Sequence, residues 1–517
     1  MKQTRSPHGS ETIDTDIDWA EWLTSDMPAP KEAMQRQELA ERRQDLEELA
    51  WLLTGAWSRL ALFNETYPDE RFEQELGSVF RRQAEELGRR LEGCAADLKG
   101  CDFDSYLALK YDIRMLLKQL GAVIEGSDWQ SPCKRLGGGA QAAAELGYAQ
   151  KEENTYERSY GSDAVKSYEQ LALKAWYGIE GSLGRTSLGY LTTSGMKALE
   201  LALFACRGAV VQSLPFYFQE GFYGEGADLA KLIINDVQEL TPEAIYARLE
   251  SGQRIGGLLI DPGVSWPARP PVDLERLMSL LSRHTQCDPL YVIVDRTHTS
   301  IANPLFTRYA EKLPPHIVLV SIESGIKYLQ YGLDLANSGF LAATGSRLEQ
   351  EGERQRWIDL LALLDAGAAP LTVRQLPEPD RARLAARLAR VNRNAGLLRG
   401  FLEHQLRQGR IVGYQSSVPP SEAYMLEGDP WRGAVCYIRL ADCETEEQVQ
   451  RRIDDFVAAA PGRSHFVSGG SFGFDTFRMN AVSDKEGKAA ALRISVGRDP
   501  ILQLLGKLRY VDRELLG

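Results

Sequence analysis

Residues 318–340 read VLVSIESGIKYLQYGLDLANSGF. The stretch is entered through Ile317-Val318-Leu319-Val320, a short β-branched run that ends in small polar residues, the pattern of a strand buried on both faces. Past it stands one lysine, Lys327, between Ile326 and Tyr328. Burying an ammonium is costly. Lys327 therefore either carries its amine out to water along an apolar stem, or holds it in a closed site with a lowered pKa, as a Schiff-base lysine does.

Upstream, Tyr291-Val292-Ile293-Val294 is a second apolar run, and it ends directly in Asp295. In open α/β sheets ligands sit at the carboxyl ends of strands. An aspartate there either caps the next helix or keeps a pyridine nitrogen protonated, as pyridoxal phosphate chemistry requires. Leu188 to Leu191, followed by Thr192-Thr193-Ser194-Gly195-Met196, reads as a strand, a small-residue turn and a helix start. Backbone N–H groups at such a start form an anion cradle, or Ser194 is a simple N-cap. Tyr156 and Arg158, in the run Asn154 to Gly161, offer a phenol and a guanidinium fork suited to phosphate.

Taken in order, five motifs carry a resemblance: Tyr156-Glu157-Arg158-Ser159, Thr193-Ser194-Gly195-Met196, Val294-Asp295-Arg296-Thr297, Glu323-Ser324-Gly325-Ile326-Lys327-Tyr328-Leu329 and Leu492-Arg493-Ile494-Ser495-Val496-Gly497. They resemble the pyridoxal-phosphate (PLP) enzymes of cysteine and methionine metabolism, the cystathionine γ-synthase, cystathionine γ-lyase and methionine γ-lyase group. The likeness covers residues 150 to 510, roughly, and leaves the first 125 or so unexplained. It implies an α/β chain of the fold-type-I PLP-dependent transferase class. That class has a three-layer α/β/α large domain and a smaller α/β C-terminal domain; here an N-terminal helical extension is added.

The resemblance also implies a site. Pyridoxal 5'-phosphate is expected on Lys327, its ring nitrogen on Asp295, and its phosphate on Ser194, Gly195, Met196 and Ser324. Tyr156 and Arg158 are expected to reach into a neighbouring subunit, which makes the chain a homo-oligomer, at least a dimer with shared active sites. Tyr217, in Ser213-Leu214-Pro215-Phe216-Tyr217, matches the tyrosine that stacks on the cofactor and passes a proton to the leaving group. Arg493 is expected to clamp the substrate α-carboxylate, with Ser471 beside it. Two positions depart from the pattern: Trp266 stands where the family has an asparagine for the cofactor's phenolic oxygen, and Ile326 where it has a threonine.

Elimination or replacement at the γ (or β) carbon of an amino acid is therefore expected, with a sulfonium or activated homoserine-type substrate as one candidate. The alternatives are a PLP-dependent aminotransferase and, in another class, a catalytically silent PLP-fold binding or regulatory protein.

Bulk properties agree with an enzyme of this kind. A net charge of −12, with basic residues interspersed among acidic ones, argues against nucleic acid as the main partner. Seven scattered cysteines form no CxxC pair and read as reduced thiols, and the six histidines make no metal-spaced cluster with them. No secretory leader and no run of about 18 apolar residues is present, so a soluble, cytoplasmic protein without a membrane partner is expected.

Along the chain, 1–30 reads as a polar, proline-punctuated tail. Residues 31–125 carry three amphipathic patterns: Leu39 to Phe63, Phe72 to Leu98, and Phe103 to Leu120, broken at Tyr67-Pro68 and near Leu98. A glycine-rich linker with Gly137-Gly138-Gly139 lacks the Lys-Ser/Thr of a P-loop. A large domain at 150–400 and a small one at 401–517 complete the expectation.

Overall fold

The structure, a computed structural model, describes residues 31–66, 71–125, 162–209, 214–263, 271–419, 421–460, 466–484 and 489–517. Tyr156, Arg158 and Trp266, the 1–30 tail and the glycines at 137–139 lie outside the described residues.

The three apolar patterns form helices α1 (Lys31–Thr66), α2 (Arg71–Ala96) and α3 (Phe103–Glu125). Leu49, Leu60 and Phe63 of α1 pack with Phe80 and Leu87 of α2 and with Ile113 and Leu117 of α3. Leu333 and Leu335, from the segment after Lys327, belong to the same core. The extension is thus packed onto the stretch quoted above. One face of α1 also buries four acids, Glu38, Glu41, Asp45 and Glu48. Glu41 accepts the Ile501 N–H at 2.8 Å and Glu38 the Leu502 N–H at 2.9 Å. These carboxylates satisfy first-turn donors of the helix Ile501–Glu514, at its positive end.

The largest sheet is built from β1 (Ser187–Thr192), β2 (Phe216–Gln219), β3 (Val237–Leu240), β4 (Gly257–Ile260), β5 (Leu290–Asp295), β6 (Ile317–Ser324) and β7 (Gly339–Thr344). Its order is β1-β7-β6-β5-β4-β2-β3. Strands β2 to β6 are parallel, and β7 runs antiparallel to both β6 and β1. Strand β6 extends four residues past the apolar run that announces it, to Ser324. Both faces of β5 and β6 are covered, which is why their sequences are apolar without alternation. Val292, Val294 and Leu319 face the helices Asp163–Tyr177, Pro242–Glu250 and Leu274–Leu281. Tyr291, Ile293, Val318 and Val320 face Gly195–Ala209, Gly224–Ile233 and Glu351–Leu363. The result is a three-layer α/β/α arrangement.

A second sheet contains β8 (Ile411–Ser416), β11 (Val435–Leu440), β12 (Phe466–Ser468), β13 (Phe477–Ser483) and β14 (Ala490–Ser495), in the order β12-β13-β14-β11-β8. Between β8 and β11 lies the small ladder of β9 (Met425–Leu426) and β10 (Asp429–Pro430). The 27-residue helix Arg381–Arg407 joins the two sheets. The expected boundary at 400 falls inside this helix, because one unbroken buried face from Leu384 to Leu402 holds it together. Among the described residues, no helix is long and apolar enough to cross a membrane.

Candidate active site

Strands β5 and β6 are neighbours, and their carboxyl ends set Asp295 and the Lys327 turn side by side. The Ser324 N–H donates to Thr297 Oγ1 at 3.0 Å, tying the turn after β6 to the end of β5. Thr297 N–H in turn donates to Asp295 Oδ1 at 2.8 Å, which fixes the carboxylate. Burial pushes the Asp295 carboxyl above its usual range, the hydrogen bonds from Thr297 and the charge of Lys327 opposing it.

Lys327 Nζ donates to Ser471 Oγ at 2.6 Å. Ser471 comes from the turn between β12 and β13, so the amine sits where the two lobes meet. Its pKa is lowered to about 8 by burial, then by Arg493 and Arg478, with Asp334 and Asp295 pulling the other way. The amine also lies 5.3 Å from the Phe472 ring centre, and the Arg493 guanidinium 5.7 Å from the same ring. Arg493 is held on β14 through Asn480 Oδ1 at 3.3 Å and the Gly470 carbonyl. One aromatic ring thus spaces the two cations.

The anion cradle forms at the start of the helix Gly195–Ala209. Ser194 Oγ accepts the Lys197 N–H at 3.1 Å, which leaves the Gly195 and Met196 N–H groups of the first turn without a partner among the described residues. A Cβ on Gly195 would lie 3.0 Å from Ser324 Cα and Cβ, so the cradle and the Lys327 turn touch. Small, close-packed, donor-rich surroundings of this kind fit a phosphate.

Asp295, Ser324, Lys327, Ser471, Arg493 and the Ser194-Gly195-Met196 turn therefore surround one place. Tyr217 does not join them. It lies within β2, buried in the core, with its hydroxyl accepting from Gln253 Nε2 at 2.9 Å. Tyr223 lies closer to the group. It precedes the helix Gly224–Ile233 and is 43% exposed, with Asp295 and Arg493 near enough to act on its phenol. Burial, the bond to and charge of Glu225, and the charge of Asp295 raise the phenol to about 12, with Arg493 pulling the other way. The legible signal was Tyr223-Gly224, an aromatic at a helix start just past β2.

His298 is a second residue that sequence reading passed over. Its ring stacks on Phe472 with centres 4.5 Å apart and planes 17° apart. Burial, then Arg493 and Lys327, lower its pKa to about 3, so it is a neutral imidazole. Its Nδ1 is buried with no hydrogen-bond partner among the described residues.

No family model matches the chain, and no curated protein does. Solved structures do match it in fold. An O-acetylhomoserine (thiol)-lyase from Campylobacter jejuni is 17% identical, with a TM-score of 0.51 over 72% of this chain and 90% of that one; its structure carries a pyridoxyl-lysine phosphate. Cystathionine γ-lyase from Lactobacillus plantarum, complexed with L-serine, is 15% identical, with a TM-score of 0.52 over 71% of this chain and 91% of that one. A methionine γ-lyase from Micromonospora echinospora is 18% identical, with a TM-score of 0.50 over 71% of this chain and 90% of that one. The chain shares the fold-type-I architecture of these structures, and more than a quarter of it lies outside the match.

Proposed function

We propose that the chain is a PLP-dependent enzyme that acts on an amino acid by elimination or replacement at the γ (or β) carbon. The observation that carries this is the convergence of a depressed lysine amine, a buried carboxylate and a helix-start cradle at the ends of two adjacent strands. The names of the matching structures supply the reaction class, and they are lyases of sulfur-containing or homoserine-type amino acids.

Bound pyridoxal phosphate supplies an electron sink for the pair released at the substrate α-carbon. The chain supplies the rest. Ser194, Gly195, Met196 and Ser324 hold the phosphate. Asp295 holds a proton at the ring nitrogen, and that cation relieves its burial. Arg493 fixes the substrate carboxylate through a charge-assisted contact. Lys327, poised near neutrality, is the amine that holds the cofactor and, once displaced, moves protons at the α- and β-carbons. Ser471 orients it. Tyr223, on which Asp295 and Arg493 act, would take the role that sequence reading gave to Tyr217 and pass a proton to the leaving group. The resemblance adds Tyr156 and Arg158, outside the described residues, as phosphate ligands expected from a second subunit, and with them a working unit of a dimer or larger.

A panel of homoserine esters, cystathionine, methionine and S-adenosylmethionine, each with and without a thiol, tests the reaction. Release of a 2-oxo acid and ammonia identifies elimination; a new amino acid appearing only with the thiol identifies replacement. Formation of pyridoxamine phosphate with a 2-oxo acid from every amino acid offered would instead make the chain an aminotransferase.

A further inference from the structure

We propose that Lys110 of α3, seated on Glu48 of α1, is a positioning residue for Lys327. The inference rests on the reading of Lys327 as the reactive amine. It assigns a task to the extension, which lies outside the residues that carry the resemblance.

The hydrogen bond between Lys327 and Ser471 joins two turns, and Lys110 grips both of them. Its Nζ donates to the carbonyl of Tyr331, four residues past Lys327, at 2.7 Å. It pairs with the carboxylate of Asp475, four residues past Ser471, at 2.9 Å. Its third strong partner is Glu48 at 2.5 Å. An ammonium has three donors, and all three are used.

The two turns are held on their other sides as well. Arg387 donates to Asp475 Oδ1 at 2.7 Å and to the Gly473 carbonyl at 3.2 Å. Gly473 has a φ of +87°, and a Cβ there would collide with the carbonyl of Lys327 itself. The Arg498 N–H donates to the Asp475 carbonyl at 2.8 Å, and its guanidinium reaches Glu48 at 2.7 Å. On the Lys327 side, Trp51 of α1 meets the Tyr331 ring edge-on at 4.8 Å, and Arg114 donates to the carbonyls of Leu333 and Asp334.

These charges are buried: side-chain exposure is 5% for Lys110, 9% for Glu48, 5% for Asp475 and 1% for Arg387. Burial alone would raise Glu48, but Arg498, Lys110 and Arg387 hold it well below the usual carboxylate range. A buried ion cluster gives little net stability compared with apolar packing of equal volume, and this one ties the Lys327 and Ser471 turns to a single arrangement of contacts. That arrangement includes the distance between Lys327 and Ser471.

Lys110→Met is the variant of choice. In the cluster, Lys110, Arg387, Arg390 and Arg498 face Asp45, Glu48 and Asp475, so removing one cation leaves three charges of each sign. Amide hydrogen exchange on the full chain is the readout, because it needs neither substrate nor cofactor. Exchange is expected to quicken at least about tenfold over 328–335 and 470–476, with β5 and β6 unchanged. The borohydride-trapped pyridoxyl yield on Lys327 should fall in step. Wild-type exchange in both turns, or a uniform rise that includes β5 and β6, overturns the proposal. Arg114→Ala, at a partly exposed position, carries the test if Lys110→Met does not fold: quickened exchange confined to 331–335, with a lower trapping yield, supports the proposal, and an unchanged yield overturns it. A wild type that takes up no pyridoxal phosphate overturns the functional reading instead, and the exchange pattern tells the two failures apart.

Discussion

Lys327 and Ser471, 144 residues apart in the chain, meet at 2.6 Å. The lysine follows a strand of the large sheet and the serine precedes a strand of the small one, so a single hydrogen bond reports on how the two lobes sit. Ser471→Ala removes the acceptor and leaves the turn. A hydrogen bond to a charged group contributes about 1.5–3 kcal/mol. We expect kcat to fall about 10- to 100-fold with cofactor binding retained, measured by steady-state kinetics beside a pyridoxal phosphate titration. An unchanged kcat would show that Ser471 only fills space.

The lowered pKa of Lys327 has a stability signature. Burial holds its ammonium at about 8 in place of 10.5, so the unfolded chain binds a proton that the folded chain has released across that window. Stability therefore rises with pH from about 8 to 10.5, and the full penalty is present below 8. Without cofactor, Lys327→Met is expected to melt above the wild type at neutral pH, with the gap closing through that window. A gap independent of pH would place the Lys327 amine in water.

Asp295→Asn keeps the size of the side chain and cannot hold a proton at a pyridine nitrogen. The cofactor is expected to remain on Lys327, while kcat falls about a hundredfold or more, the scale at which proton placement matters in such chemistry. Trapped pyridoxyl yield and kcat, measured on the same sample, separate the two. Loss of both together would make Asp295 a folding residue.

Tyr223 and Tyr217 give opposite expectations. Tyr223→Phe should lower kcat about 10- to 100-fold with little change in melting temperature. Tyr217→Phe should cost about 1 kcal/mol of stability, the bond to Gln253, with kcat unaffected. Thermal melts and kinetics on both variants check this, and the reverse pattern would restore Tyr217 to the site.

Much of this was legible in the sequence for a local reason. Strands buried on both faces are written as unbroken apolar runs, and a polar residue at the end of one marks the ligand edge; Asp295 and the Lys327 turn are read that way. The repeating apolar positions of α1 to α3 were equally plain. What sequence could not supply was partnership across distance. Glu48 and Lys110 look like ordinary charges on amphipathic helices 62 residues apart, and only the fold brings them into contact. The acids at 38, 41, 45 and 48 do recur at helical spacing, which was a sign of a buried polar face. Tyr217 is read from a loosely matching motif, and motif position says nothing of which residue leaves the strand.

The most direct measurement is the position of the cofactor. The purified chain, incubated with pyridoxal phosphate, should show an absorbance band near roughly 420 nm. After borohydride reduction and digestion, a pyridoxyl mass should appear on the peptide that holds Lys327, and Lys327→Ala should lose both the band and the mass. A band with the label on another lysine, or no uptake by the wild type, would contradict the assignment of this site.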